Sequence, residues 1–139
     1  MKRNNFKVVA MRVKQAFKVL PKALGIVAKN EFLDNVDKRH GFRVDGGVVK
    51  KWPPLKSKKD AGRAPLNKTG RLKRAINTLR LTANSAVVGV DDAEVPYAKF
   101  HNEGVPGKLP QRKFVGESKV LNRALKHKVQ QTLIKAFKK

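Results

Sequence analysis

The apolar positions near the start of the chain recur with helical spacing. Phe6, Val9, Val13, Ala16, Phe17 and Leu20 share one face of a 3.6-residue helix, and lysine and arginine take the other. Pro21 either opens a second helix or kinks the first, since a proline lacks only an N–H that a first turn does not need. Leu24, Ala28, Phe32 and Val36 continue the stripe, so helices are predicted over residues 5–40, stopping near Gly41 as a left-handed cap. Asp45-Gly46-Gly47 then reads as a tight turn.

The pattern is lost after this turn. Residues 45–68 hold Pro53, Pro54 and Pro65 and few apolar positions, which predicts a long, extended basic loop. Thr69 is positioned to cap a short helical turn running to Ile76. Beyond it, Thr78 to Thr82 alternates polar and apolar, Ala86 to Val90 is β-branched, and Asn84-Ser85 lies between, so a β-hairpin is predicted over 77–91. Val95 to Gly104 fits a short helix or turn, a Pro/Gly loop follows, and Phe114-Val115 fits a brief strand. Leu121, Ala124, Leu125, Val129, Leu133, Ala136 and Phe137 then form an amphipathic stripe, giving a C-terminal helix over 118–138. The sum is one α+β domain over residues 1–139, in which N-terminal helices and the C-terminal helix pack on a small antiparallel sheet.

Composition alters this picture chiefly through charge. Of 139 residues, 33 are Lys or Arg and 10 Asp or Glu, a formal net charge of +23, which calls for polyanions or acidic protein surfaces as partners. Ten of the basic residues, Lys50, Lys51, Lys56, Lys58, Lys59, Arg63, Lys68, Arg71, Lys73 and Arg74, fall in one stretch against the single acid Asp60, and mark a candidate contact with DNA or an acidic partner. Aromatic residues are only 6%, too few for a single-strand stacking platform, and no sequence-reading nucleic-acid motif accompanies the lysines. Non-specific phosphate contact is the remaining form of that reading. Lysines and arginines interrupt every early apolar run, so neither a signal peptide nor a membrane span is expected.

Candidate chemistry is thin. The chain has no cysteine, which removes thiolate nucleophiles and disulfides. His40, His101 and His127 fall in three different predicted elements, and no metal site is expected from them. Ser57, Ser85 and Ser118 lack any nucleophile-elbow context. Gly62 to Thr69 approaches a phosphate-binding loop, but Asn67 replaces its second glycine and Pro65 removes a backbone N–H. Asp91, Asp92 and Glu94 suit a solvated turn or a cation. The expectation is a protein without catalytic residues, metal or cofactor.

Four motifs occur in order: Trp52-Pro-Pro-Leu55; Leu66-Asn-Lys-Thr-Gly70-Arg-Leu72-Lys-Arg-Ala-Ile76; Tyr97-Ala-Lys-Phe-His101-Asn-Glu-Gly104; and Leu109-Pro-Gln-Arg112-Lys-Phe114-Val-Gly116. Together they resemble the phage virion morphogenesis family, the Mu-like tail-completion proteins, in which W-x-P-L, L-x-x-[ST]-G-x-L-x-x-[SA]-I, Y-A-x-x-H-x-x-G and [IL]-P-x-R-x-F-[LV]-G segments follow one another. The likeness covers residues 52–116, and it departs where Pro53 follows the tryptophan directly and where Lys113 stands in place of a second proline. It implies a structural protein of a tailed bacteriophage virion, assembled in the host cytoplasm and placed at the head–tail neck or tail end. Its implied partners are other copies of itself in a closed ring, neighbouring portal, connector and tail proteins, and packaged DNA contacted non-specifically. Trp52, Leu72, Tyr97, His101, Gly104, Pro110, Arg112 and Phe114 are the expected structural hub or interface, because amphipathic aromatics and a five-donor arginine suit packed junctions. The alternative is a small non-specific nucleic-acid-binding protein.

Overall fold

The computed structural model describes residues 2–38, 40–43, 49–57, 59, 66 and 69–138. Its longest element is a helix, α1 (Lys2–Asp37), which at 36 residues runs about 54 Å. Pro21 lies inside it without ending it. A proline there forfeits one hydrogen bond and crowds the carbonyl one turn back; packing supplies the compensation, since Leu20 and Pro21 are both buried. The buried face is narrower than the apolar stripe. Ala16, Leu20, Phe32 and Val36 are inside, whereas Phe6 is 77% and Phe17 55% exposed.

The helix stops at Asp37, short of the predicted Gly41, with Lys38 N–H bonded to the Asp34 carbonyl. Residues His40–Arg43 instead form a strand, β1, paired antiparallel with β2 (Val49–Lys51). A glycine inside a helix costs about 1 kcal/mol, and strand pairing offers its backbone groups partners that a frayed last turn would lack. The predicted turn at Asp45-Gly46-Gly47 lies outside the described residues. Most of the predicted basic loop over 45–68 does as well, and within that stretch residues 49–51 are strand rather than loop.

A short helix, α2 (Arg71–Ala75), follows. Its N-cap is Gly70 at φ 67°, not Thr69, although the Thr69 hydroxyl accepts a 3.4 Å bond from Arg71 N–H. Strands β3 (Asn77–Leu81) and β4 (Ala86–Gly89) form an antiparallel hairpin with a register shift between Thr78 and Arg80. The turn closes on Thr82, whose Oγ1 accepts from the N–H groups of Asn84 and Ser85. Then come α3 (Tyr97–Glu103) and α4 (Lys119–Lys138), the latter capped by Ser118 Oγ, which accepts from Leu121 N–H at 3.0 Å.

The architecture is α+β, with α1 as the shared element: it packs against α4, both hairpin strands and β1. It meets the hairpin at Gly25, where a Cβ would sit 3.2 Å from Ala86 Cβ and 3.6 Å from Thr78 Oγ1. Hydrogen there lets the helix lie close on the sheet. One core joins Phe32 and Val36 of α1 to Trp52, Leu72, Ala75, Ile76, Val95, Ala98, Phe114 and Leu121. Alongside it, Phe17, Leu24, Ala28, Ala86, Val88 and Leu125 help line an apolar groove of about 610 Å³ between α1, the hairpin and α4. In α4, Leu121 and Ala136 are buried, while Ala124 and Phe137 of the predicted stripe face solvent.

Candidate functional site

The residues singled out in the sequence divide into an inner and an outer set. Trp52, Leu72 and Phe114 are buried in the one core cluster. Phe114 and Leu72 are each 1% exposed, and burial of side chains that size contributes about 2–3 kcal/mol apiece. Arg112 is 3% exposed, the one buried cation among the described residues. Its Nε and Nη2 donate to the Pro53 carbonyl at 3.2 and 3.0 Å, and Nη2 also donates to the Pro54 carbonyl at 3.2 Å. Among the described residues these carbonyl oxygens are its partners, so dipoles rather than a carboxylate hold the charge. Prolines supply acceptors without competing donors, which suits them to this role. Burial lowers the Arg112 pKa from its ordinary value, and the group stays charged as arginines do.

The backbone around Arg112 is tied down from α3. Arg112 N–H donates to the His101 carbonyl at 2.8 Å. Asn102 Oδ1 accepts from the N–H groups of both Phe114 and Val115, each at 3.0 Å. Asn35, fully buried on α1, donates its Nδ2 to the Phe114 carbonyl at 3.2 Å. Phe114-Val115 therefore does not form the predicted strand: the groups that a ladder would pair are satisfied by two asparagine side chains. Neither asparagine stood out in the sequence. Asn102 sits inside the Tyr97–Gly104 motif, and its place one residue after His101 was the available signal.

Gly104 ends α3 at φ 77° and ψ 164°. Pro110 is half-buried in the loop that follows, which an isolated bridge between Val105 and Leu109 closes. Tyr97 belongs to the outer set. It is 40% exposed, so it is not part of the buried hub, and its ring meets His101 edge-on with centroids 6.1 Å apart. Four-residue spacing on a helix produces that contact. His101 is half-buried, and its Nδ1 is buried without a partner, as is Trp52 Nε1.

Burial, and then the nearby Arg112 charge, lower the pKa of His101 below its ordinary 6.5. As pH falls through 6.5, the unfolded chain takes up the imidazole proton before the folded one does, so this contribution to stability is full above that pH and lost below it. Urea midpoints at pH 7.5 and 5.5 should therefore fall more steeply for the parent chain than for His101→Asn. Equal slopes would contradict the lowered pKa.

Six of the ten basic candidates have described side chains. Lys51, Lys56, Lys59, Arg71 and Arg74 are exposed. Lys73 pairs with Asp37 at 2.7 Å, Arg71 donates to the Glu94 carbonyl at 2.6 Å, and Arg74 donates to the Thr69 carbonyl at 3.2 Å. Lys58, Arg63 and Lys68 lie outside the described residues, and Lys50 is placed in β2. Asp91 caps its own turn, its Oδ1 accepting from Ala93 N–H at 2.9 Å. Among the described residues no group of three or more His, Asp or Glu converges as metal ligands would, and no helix is long and apolar enough to cross a membrane. Around Arg112 the arrangement is a packed junction, in which the polar groups are spent on backbone carbonyls and N–H groups.

Compared with protein-family models, curated proteins and solved structures, the chain matches none.

Proposed function

We propose that this chain is a structural protein of a tailed bacteriophage particle, a tail-completion or head–tail neck component that assembles as a ring. One observation carries the reading: the four motifs that resemble the virion morphogenesis family, spread over residues 52–116, are partners of one another in the fold. The first motif supplies Trp52 to the core and the Pro53 and Pro54 carbonyls to Arg112 of the fourth. The second supplies Leu72, Ala75 and Ile76 to the same core. The third supplies the His101 carbonyl and the Asn102 side chain to the backbone of the fourth. A set of motifs that interlock has a physical reason to occur together, which four accidental matches would not have.

The rigid junction thus formed suits a subunit whose work is to hold a shape between neighbours. Ring closure needs two different faces on each subunit, joined head to tail. Electron microscopy of particles assembled with and without this chain tests the proposal. With it, density for a ring of copies is expected at the head–tail junction or tail end; without it, heads and tails should accumulate unjoined or unfinished. Intact particles lacking the chain, together with salt-sensitive DNA binding by the monomer, would favour the nucleic-acid-binding alternative and overturn the proposal.

A further inference from the structure

The charge of this protein is not evenly spread. All ten acids lie between Glu31 and Glu117. Residues 2–30 of α1 and 119–138 of α4 therefore carry no acid at all, yet they hold fourteen of the thirty-three Lys and Arg residues. These two helices pack on each other. Such an assembly is strained by its own repulsion until something negative covers it.

An apolar line runs through this positive surface. Val8, Met11, Val19 and Ile26 are 37%, 65%, 49% and 50% exposed. At 100° per residue they fall within about 80° of one another on α1, turned about 120° from the face that carries Val9, Val13, Ala16 and Leu20 into the body. Gln15 and Lys22 complete the same line, giving spacings of three, four, four, three and four from Val8 to Ile26. Exposed Lys7, Lys14 and Lys18 run along one edge.

Each feature narrows the occupant. A second copy of this face would bring lysine rows together with no acid to pair them. Nucleic acid would neutralise the lysines but leave four aliphatic side chains wet. A bilayer takes a broad apolar face, whereas this line is narrow and broken by Gln15 and Lys22. A narrow seam with polar interruptions and charged edges is what one helix presents to another, the interruptions setting register and the edges setting partner.

We propose that the outer face of α1 between Lys7 and Ile26 is a docking seam for an acidic amphipathic helix of another protein. The inference uses charge and exposure alone and does not rest on a place in a phage particle. Lys22, within the seam, then meets a carboxylate, and the edge lysines meet glutamates of the docked helix.

The test uses the full chain and a synthetic helix of about four heptads, with leucine at the seam positions and glutamate at the edges. Circular dichroism should show the peptide gaining helix on mixing, and fluorescence anisotropy should show binding that weakens with salt. The triple variant Met11→Gln, Val19→Gln, Ile26→Gln keeps the charge and changes only exposed positions; it should bind the peptide roughly tenfold or more weakly, since the apolar contacts supply the specific part of the affinity. Should the triple variant fail to fold, the pair Met11→Gln, Val19→Gln carries the same test. A scrambled peptide of equal composition, a duplex DNA of equal charge, and vesicles of phosphatidylglycerol and phosphatidylcholine are the comparisons. The proposal is overturned if the seam peptide does not bind, if the scrambled peptide binds as well, if the glutamine variants bind unchanged, or if vesicle binding shows the same loss on substitution.

Discussion

Replacing Arg112 with methionine should cost about 3 kcal/mol of folding stability, read as a lowered urea midpoint at unchanged slope. Methionine keeps much of the buried stem but none of the donors, so the Pro53 and Pro54 carbonyls lose the three contacts that now reach them. Charged hydrogen bonds of this kind contribute about 1.5–3 kcal/mol, and buried acceptors left alone incur the cost of desolvation as well. Arg112→Lys should fall between, losing about 1.5 kcal/mol, because an ammonium is a point charge and does not present the guanidinium fork. The two variants also differ at a distance. The Arg112 charge is one cause of the lowered His101 pKa, so that pKa should move up toward 6.5 in the methionine variant and move less in the lysine variant, as followed by imidazole chemical shifts. A methionine variant within about 0.5 kcal/mol of the parent would mean that the arginine is merely tolerated in the core.

The reason Arg112 matters was only half legible in the sequence. An arginine between Pro110 and Phe114, in a segment with few charges of the opposite sign, invites the thought of a buried role. Its partners could not be read, because they are backbone carbonyls nearly sixty residues away, and a carbonyl has no signature in the one-letter code. The same limit explains Phe114-Val115. Its side chains suit a strand, but two asparagines from different helices had already taken its hydrogen bonds.

Elements governed by local chemistry were easier to read. The hairpin strands follow from alternation and from turn residues that satisfy their own backbone, and α4 follows from its stripe. The end of α1 was harder, since the choice between a last helical turn and a strand depends on what Val49–Lys51 can offer as a partner. Exposure was harder still. Phe6 and Phe17 have the right spacing for a buried face, yet both stand largely exposed on α1. Periodicity tells which residues share a face, and only the fold tells whether something lies against it.

Gly104 gives the second large effect, and its neighbour Gly107 supplies the control. Both adopt left-handed φ values, 77° and 73°, which any L side chain occupies at a cost of about 1 kcal/mol or more. They differ in surroundings. A Cβ on Gly107 would meet nothing within 4 Å, whereas one on Gly104 would lie 3.0 Å from Gln111 N and 3.1 Å from Gln111 Cα and Cβ. Gln111 has little room to retreat, because its side chain donates to the Asn102 carbonyl at 3.2 Å and the next residue, Arg112, is bonded through its N–H to the His101 carbonyl. Any shift that admits the methyl therefore loosens the grip of α3 on the segment that carries Arg112 and Phe114. Gly104→Ala is expected to lose about 3 kcal/mol and Gly107→Ala about 1 kcal/mol, the difference combining the clash with the φ 77°, ψ 164° geometry of Gly104, which is open essentially to glycine alone. Equal losses in urea titrations would show that the loop after α3 yields freely, and that the junction between the third and fourth motifs is not rigid.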